Sequence, residues 1–195
     1  MYRAVALDAL RKGIDWSDEE KVVRLMSEIE LELDKPKESE DDGRLVTVVL
    51  GGEDVSNEIR TAQLGEGASV VSTYGGVREV LVVMQQNIAR GESVVMEGRD
   101  IGVRVLPEAQ MKIFLTGSVE ERARRKWQYF MDRGEEMGLE RVRKEMVKRD
   151  KREETREIDP LKPLRESWVL DTTGMGINEV VRVIVEKLEK TKLIG

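Results

Sequence analysis

Short apolar runs that alternate with helical patterns are the feature that most constrains the fold of this chain. Three runs have the length of buried strands: Val94–Glu97, Met111–Thr116 and Trp168–Asp171. A capping box opens a helix at Ser118, and apolar residues recur at helical spacing over 139–146 and 177–188, where they predict a buried face for the last helix. Strands alternating with helices predict an α/β fold with a parallel sheet flanked by helices.

The first half of the chain carries a different pattern. Apolar residues predict a helix over 4–12, and Ser17-Asp-Glu-Glu20 is a capping box that opens a second helix. Leu45–Leu50 is a β-branched run, and Gly51-Gly52 followed by Glu53–Val55 completes it as a hairpin with a two-residue turn. These elements predict a small antiparallel insert within the α/β fold.

The composition excludes several classes of enzyme. The 195 residues contain no cysteine and no histidine, so cysteine nucleophiles, thiolate zinc sites and histidine-based triads are ruled out. Glu28, Glu30, Glu32 and Asp34 alternate as a metal site could, but we interpret them as a solvated helix end and predict no protein-bound metal. No apolar run is long enough to span a membrane and the first residues do not form a signal peptide, so we expect a cytoplasmic protein.

The charge is unevenly distributed. Residues 122–156 hold 13 Lys and Arg against 8 Asp and Glu, a net charge of +5, so the rest of the chain carries −11 of the total of −6. Binding to nucleic acid needs a broad basic face, which this chain does not offer. A small polyanion such as a nucleotide phosphate fits the local basic charge better. We interpret Arg122, Arg124 and Arg133 individually as solvated.

Two charged motifs are candidates for that anion site. Gly98-Arg99-Asp100 follows the apolar run at 94–97, and ligands of open α/β sheets bind beyond the carboxyl ends of the strands. A second cluster, Arg149 to Arg156, lies 50 residues further on. The alternative for the first motif is a surface ion pair at a strand end.

The chain resembles bacterial cytidylate kinases over essentially its whole length. The motifs that carry the resemblance occur in the family's order and approximate spacing: Met1-Tyr-Arg-Ala-Val-Ala-Leu7, Gly52-Glu-Asp-Val55, Glu58-Ile-Arg-Thr61, Ala68-Ser69, Val77-Arg-Glu79, Gly98-Arg-Asp-Ile-Gly102, Lys112-Ile-Phe-Leu115, Glu121-Arg-Ala-Arg124 and Arg149-Asp150 through Arg156. The resemblance implies a monomeric P-loop NTPase-like kinase that moves the γ-phosphoryl group of ATP, bound with Mg²⁺, to CMP or dCMP. It also implies a single domain with a monophosphate-binding insert at 35–90 and a helical lid at 133–163.

The resemblance further implies a CMP site. It assigns Ser69, Arg78 and Asp100 to the base, which suits cytosine because a carboxylate can face its amino group while an arginine or hydroxyl faces its acceptors. It assigns Arg3, Arg99 and Arg156 to the phosphate, where guanidinium forks fix orientation as well as charge.

Two further residues are implied near the sugar. They are Arg149 and Glu153, and Arg149 joins Arg99 and Arg156 as the candidate catalytic arginines. The family usually has aspartate at the position of Glu153. The extra methylene puts the ribose contact, and with it the preference between CMP and dCMP, in doubt.

One family motif is missing from the sequence. A phosphate-binding loop ends in Gly-Lys-Ser/Thr, yet none of the 17 glycines is followed by lysine. In the family, the first strand, this loop and the helix after it precede the motif in which Met1 lies. We therefore expect Met1 to be a misassigned start of a longer gene product. The alternative is a non-catalytic remnant that binds CMP but cannot hold ATP.

Overall fold

The computed structural model describes residues 1–37, 43–91, 93–155, 157 and 160–193. The chain divides into two compact units, Met1–Val94 and Val95–Gly195. The expected single domain with an insert at 35–90 and a lid at 133–163 stays a prediction.

The described residues of the first unit form four α-helices: α1 (Tyr2–Arg11), α2 (Glu19–Leu25), α3 (Ala62–Val71) and α4 (Gly75–Ala89). The predicted helix over 4–12 is confirmed. The sequence predicted that Ser17 caps α2, and this prediction is wrong by one residue. Asp18 is the cap, because its side chain accepts a hydrogen bond from the backbone N–H of Lys21. The hydroxyl and the backbone N–H of Ser17 instead donate hydrogen bonds to Oδ1 of Asp15, at 2.7 and 2.8 Å.

A three-stranded antiparallel sheet follows α2 and precedes α3 in the chain. Its strands are β1 (Leu31–Asp34), β2 (Thr47–Leu50) and β3 (Glu53–Asp54). The predicted hairpin is confirmed: Gly51 and Gly52 join β2 to β3 with φ of +56° and +81°, values that favour glycine. The interpretation of Glu32 and Asp34 as a helix end is wrong. They alternate because β1 pairs with β2 and points successive side chains to opposite faces.

The hydrophobic core of the first unit forms around α1. Residues Ala4 to Leu7 are at most 2% exposed, because α1 packs against α3 and β2. The same cluster takes side chains from the sheet and the other helices: Val22, Met26, Leu31, Val48, Leu50, Val55, Ile59, Leu64, Val71, Val77 and Leu81. A short 3-10 helix, Glu58–Arg60, contributes Ile59 and leads into α3.

The second unit has the predicted α/β pattern. Its elements are a π-helical turn (Ile101–Val105), β4 (Ile113–Thr116), α5 (Val119–Met131), α6 (Leu139–Thr155), β5 (Trp168–Asp171) and α7 (Ile177–Lys190). β4 and β5 pair in parallel, with Ile113 opposite Trp168 and Thr116 opposite Asp171. Helices α5 and α6 connect them, so the predicted parallel α/β arrangement is confirmed.

Two predictions for this part of the chain are wrong. Residues 94–97 form no strand; no described strand pairs with them, and Val95 is fully exposed, so their backbone groups gain no sheet partner. Helix α7 forms, but none of its side chains is buried and Ile177 is 83% exposed. The apolar spacing therefore predicted the helix correctly and its burial incorrectly. Within the described ranges, no helix combines the length and apolar character that crossing a membrane requires.

Candidate functional site

Arg3 is anchored to backbone carbonyls of the first unit. It lies on α1, and its Nη1 donates hydrogen bonds to the carbonyl oxygens of Ile59 and Thr61, at 2.7 and 2.8 Å. These carbonyls flank the end of the 3-10 helix. The guanidinium is therefore fixed where α1 meets the start of α3.

Ser69 and Arg78 approach the same turn from opposite sides. Ser69 lies on α3 and Arg78 in the first turn of α4, and both are nearly inaccessible, at 7% and 4% exposed. The carbonyl of Ser69 accepts from the hydroxyl of Ser72 at 3.2 Å, and Nη1 of Arg78 donates to the carbonyl of Ser72 at 3.5 Å. Both residues therefore contact Ser72, in the turn between α3 and α4.

Asp100 opens the π-helical turn of the second unit. Its carbonyl accepts hydrogen bonds from the N–H groups of Val103 and Arg104, at 3.1 and 2.8 Å, and the residue is 3% exposed. Gly98 precedes it, and a Cβ there would lie 2.8 Å from Cγ1 of Ile101. Glycine at 98 therefore lets the turn fold back tightly enough to bury Asp100.

Arg99 and Arg149 converge on the carboxylate of Glu153. Arg149 and Glu153 are one turn apart on α6, and Nε of Arg149 donates to Oε1 of Glu153 at 2.7 Å. Nη1 of Arg99 lies 3.1 Å from Oε2 of the same carboxylate. The Glu153 side chain is 7% exposed, whereas those of Arg99 and Arg149 are 42% and 44% exposed.

The cluster around Arg99 contains charges of both signs. Partial burial lowers the pKa of the Arg99 guanidinium, the charge of Glu153 opposes that shift, and the like charge of Arg149 adds to it. The charges of Asp150 and Glu97 also act on Arg99, in the same direction as that of Glu153. Each guanidinium has five N–H donors, so one contact with Glu153 leaves further donors for a ligand.

Two of the three candidate catalytic arginines, Arg99 and Arg149, lie among the described residues. Arg99 and Arg149 contact the same carboxylate, and their catalytic role stays a prediction. Arg156 lies outside the described residues, and so its predicted contact with phosphate stays a prediction.

Sequence reasoning missed the role of Arg122. We interpreted it as solvated, but its Nη1 pairs with Oδ2 of Asp150 at 2.7 Å and its Nε donates to the carbonyl of Gly117 at 2.9 Å. This ion pair links α5 to α6, and its carboxylate partner Asp150 directly follows Arg149 in the sequence. Its partner is 28 residues away, and the sequence carries no local pattern for such a contact.

The described residues do not by themselves build a metal site. No group of three or more carboxylates within them could hold a metal ion, and the sequence has no histidine or cysteine to add. A magnesium ion that enters with a nucleotide would instead keep water and phosphate oxygens as most of its ligands.

The α/β fold with parallel strands and the arginine-rich site define a nucleotide-binding protein of the phosphotransferase class. Comparison with known proteins identifies the family: a profile described as Cytidylate kinase matches residues 1–190. The chain belongs to the cytidylate kinase family, and its α/β architecture is that of a nucleoside monophosphate kinase.

Individual relatives agree with the profile. The cytidylate kinases of Caldanaerobacter subterraneus subsp. tengcongensis and Desulforamulus reducens are each 42% identical to the chain; the matches cover 97% and 98% of it and 80% and 83% of those relatives. The cytidylate kinase of Shouchella clausii is 40% identical over 190 residues, which are 97% of the chain and 82% of that relative.

Proposed function

We propose that this protein transfers the γ-phosphoryl group of ATP to CMP or dCMP, giving CDP or dCDP. Membership of the cytidylate kinase family supports the reaction class. The observation that carries the proposal is the placement of Arg99 beside the buried carboxylate of Glu153, since a partly exposed guanidinium group held there has further donors that suit a phosphate dianion. The proposal also takes the protein to act in the cytoplasm and as a monomer.

The proposed base site uses buried polar groups. Ser69, Arg78 and Asp100 are all at most 7% exposed. A buried site built to hydrogen-bond a ligand strongly rejects a ligand that leaves its groups unpaired. We assign the three residues to cytosine. A carboxylate can accept from its amino group, which uracil lacks, so CMP is the expected substrate and UMP a poor one.

The phosphate and the sugar are assigned to charged residues. Arg3, Arg99 and Arg156 are proposed to hold the monophosphate, and Arg149 and Glu153 to lie near the sugar end of the site. Phosphoryl transfer needs alignment of the reacting oxygens and neutralisation of charge, so no general base has to be found. Magnesium bound with ATP supplies part of that neutralisation, and a lid at 133–163 would bring further arginines.

The proposal is tested by following CDP formation from CMP and ATP by ion-exchange chromatography, with UMP as the competing acceptor and a reaction without ATP as the blank. ATP-dependent conversion of CMP in preference to UMP is the expected result. Equal turnover of both acceptors would refute the assignment of the base site, and no turnover of either would refute the kinase function of this chain.

A second function is favoured by one sequence feature, the lack of a Gly-Lys pair among the 17 glycines. A chain of this kind would bind CMP without transferring phosphate to it. Calorimetric titration with CMP distinguishes the two functions: binding together with CDP formation supports the kinase, whereas binding without CDP formation supports the second function.

A further inference from the structure

Arg122 connects the carboxyl end of β4 to α6. It lies near the start of α5, and its Nε donates to the carbonyl oxygen of Gly117, the residue that follows β4, at 2.9 Å. Its Nη1 donates to Oδ2 of Asp150 on α6 at 2.7 Å. The side chains of Arg122 and Asp150 are 33% and 19% exposed, so solvent screens this pair less than it screens a fully exposed one. A guanidinium group anchored in this way holds the carboxylate in a fixed place.

The carboxylate that Arg122 holds lies within electrostatic reach of Arg99. Partial burial lowers the pKa of the Arg99 guanidinium, and the charge of Glu153, followed by that of Asp150, opposes this shift. Glu153 contacts Arg99 directly, at 3.1 Å, whereas Asp150 has its contact with Arg122. The structure therefore has a second carboxylate near Arg99 and pairs it with an arginine of another helix.

An unpaired carboxylate at this position would interfere with a bound phosphate in two ways. It would compete for the N–H donors of Arg99, because carboxylate and phosphate oxygens suit the same guanidinium geometry. It would also repel the dianion, and that repulsion grows where solvent is partly excluded. The contact with Arg122 offsets the charge of Asp150 and directs its carboxylate towards α5.

We propose that Arg122 is a positioning residue that holds the carboxylate of Asp150 against α5 and so keeps Arg99 available to the phosphate of the substrate. The inference rests on the proposed function, because it takes the ligand of Arg99 to be the monophosphate of CMP. It gives Arg122 no contact with the nucleotide. The effect of Arg122 on phosphate binding should therefore depend on the charge of Asp150.

The test compares two ligands across four variants of the 195-residue chain. Dissociation constants for CMP and for cytidine, which lacks the phosphate, are measured by calorimetry, or by ligand-observed NMR for the weaker ligand. The variants are Arg122→Gln, Asp150→Asn, the double variant with both substitutions, and the control Arg124→Gln. Arg124 is 60% exposed and lies two residues further along α5, so its substitution removes the same charge from the same helix. Circular dichroism establishes that each variant is folded.

We expect Arg122→Gln to weaken CMP by about tenfold, the size of effect expected when a charged hydrogen bond to the phosphate is lost to a competing carboxylate. Cytidine should bind to this variant as it does to the unaltered chain. Asp150→Asn should bind CMP at least as tightly as the unaltered chain, since it removes the competing charge. The double variant should recover most of the loss for the same reason, and Arg124→Gln should change neither constant.

The double variant separates this role from a purely structural one. If Arg122 only joined α5 to α6, removing Asp150 as well would restore nothing, so a double variant as weak as Arg122→Gln would overturn the inference. An equal loss of CMP and cytidine in Arg122→Gln, or no loss at all, would also overturn it.

Two further outcomes are covered by the design. If Arg122→Gln does not fold, Arg122→Lys carries the same comparison with a smaller loss, because lysine keeps the charge but lacks the guanidinium fork that contacts Gly117 and Asp150 together. Failure of the unaltered chain to bind CMP would instead refute the proposed function, so the two failures are distinguishable.

Discussion

Nη2 of Arg125 donates a 2.6 Å hydrogen bond to the carbonyl oxygen of Thr172, and Nη1 donates to the hydroxyl of the same residue at 3.0 Å. Thr172 follows β5, and both its N–H and its hydroxyl donate to the carbonyl of Thr116 at the end of β4, each at 2.9 Å. One arginine on α5 therefore secures the carboxyl ends of both parallel strands. A further bond of 2.9 Å to the carbonyl of Met175 extends this support to the turn before α7.

Replacing Arg125 with alanine should destabilise the second unit. It removes charged hydrogen bonds to Thr172 and Met175, and such bonds contribute about 1.5–3 kcal/mol, so we expect a loss within that range in urea unfolding. Arg124→Ala is the matched control, because Arg124 is 60% exposed and pairs with Glu121 on the same helix. A surface pair contributes at most about 1 kcal/mol. Equal losses in the two variants would contradict the role of Arg125.

Replacing Arg99 with alanine should abolish most activity while the fold is retained. Arg99 is partly exposed and contacts Glu153 on α6, so its loss leaves the core of the unit intact. We expect kcat/KM for CMP to fall by at least about tenfold, the value of a charge-assisted hydrogen bond. Arg182→Ala, which removes a 63% exposed arginine from α7, should leave turnover unchanged. Full turnover in Arg99→Ala would remove Arg99 from the site.

The hairpin of the first unit should show a pH-dependent contribution from Asp54. The hydroxyl and N–H of Ser56, and then Arg44, lower the pKa of Asp54 from its usual 3.8 to about 2. A lowered pKa stabilises the native state fully above the unfolded value, and that contribution is lost as the pH falls from 3.8 towards 2.

Asp54→Asn tests this contribution. Because the Asp54 side chain is 39% exposed, we expect a cost of no more than about 1 kcal/mol in urea unfolding at pH 6, and a smaller difference from the unaltered protein at pH 2.5. Glu32→Gln, a substitution at an exposed position of β1, is the charge-matched control. A difference that stays constant between the two pH values would rule out ionisation of Asp54 as the cause.

Local patterns in the sequence predicted local structure well. Ser118 caps α5 by accepting from the N–H of Glu121 at 3.2 Å, and the run Trp168–Asp171 forms β5 with the predicted bounds. Gly51 and Gly52 form the predicted turn. In each case the determining interaction joins residues a few positions apart, or a short apolar run finds a paired neighbour, so the sequence contains the necessary information.

Contacts between distant segments could not be predicted in this way. The approach of Arg99 to Glu153 depends on how α6 lies against the segment before the π-helical turn, and no spacing in the sequence encodes that. The failed strand at 94–97 shows the same limit, since an apolar run becomes a strand only where another strand supplies its hydrogen bonds. Likewise, the spacing of α7 shows which residues share a face but not what covers that face.

Replacing Gly67 with alanine should destabilise the first unit, because α3 packs closely on Trp16. A Cβ at position 67 would lie 2.7 Å from Cε2 of the indole ring. The ring cannot move freely, since its Nε1 donates to the carbonyl of Ala6 at 2.9 Å and the hydroxyl of Tyr74 donates to the carbonyl of Trp16 at 2.8 Å. Overpacking costs about 1–3 kcal/mol, and the better helix propensity of alanine returns up to about 1 kcal/mol. We therefore expect a net loss of about 1–2 kcal/mol in urea unfolding.

Gly138→Ala, where a Cβ would meet no atom within 4 Å, should cost less than about 0.5 kcal/mol. Unchanged stability in Gly67→Ala would show that Trp16 can yield, and that the close approach of α3 does not depend on glycine.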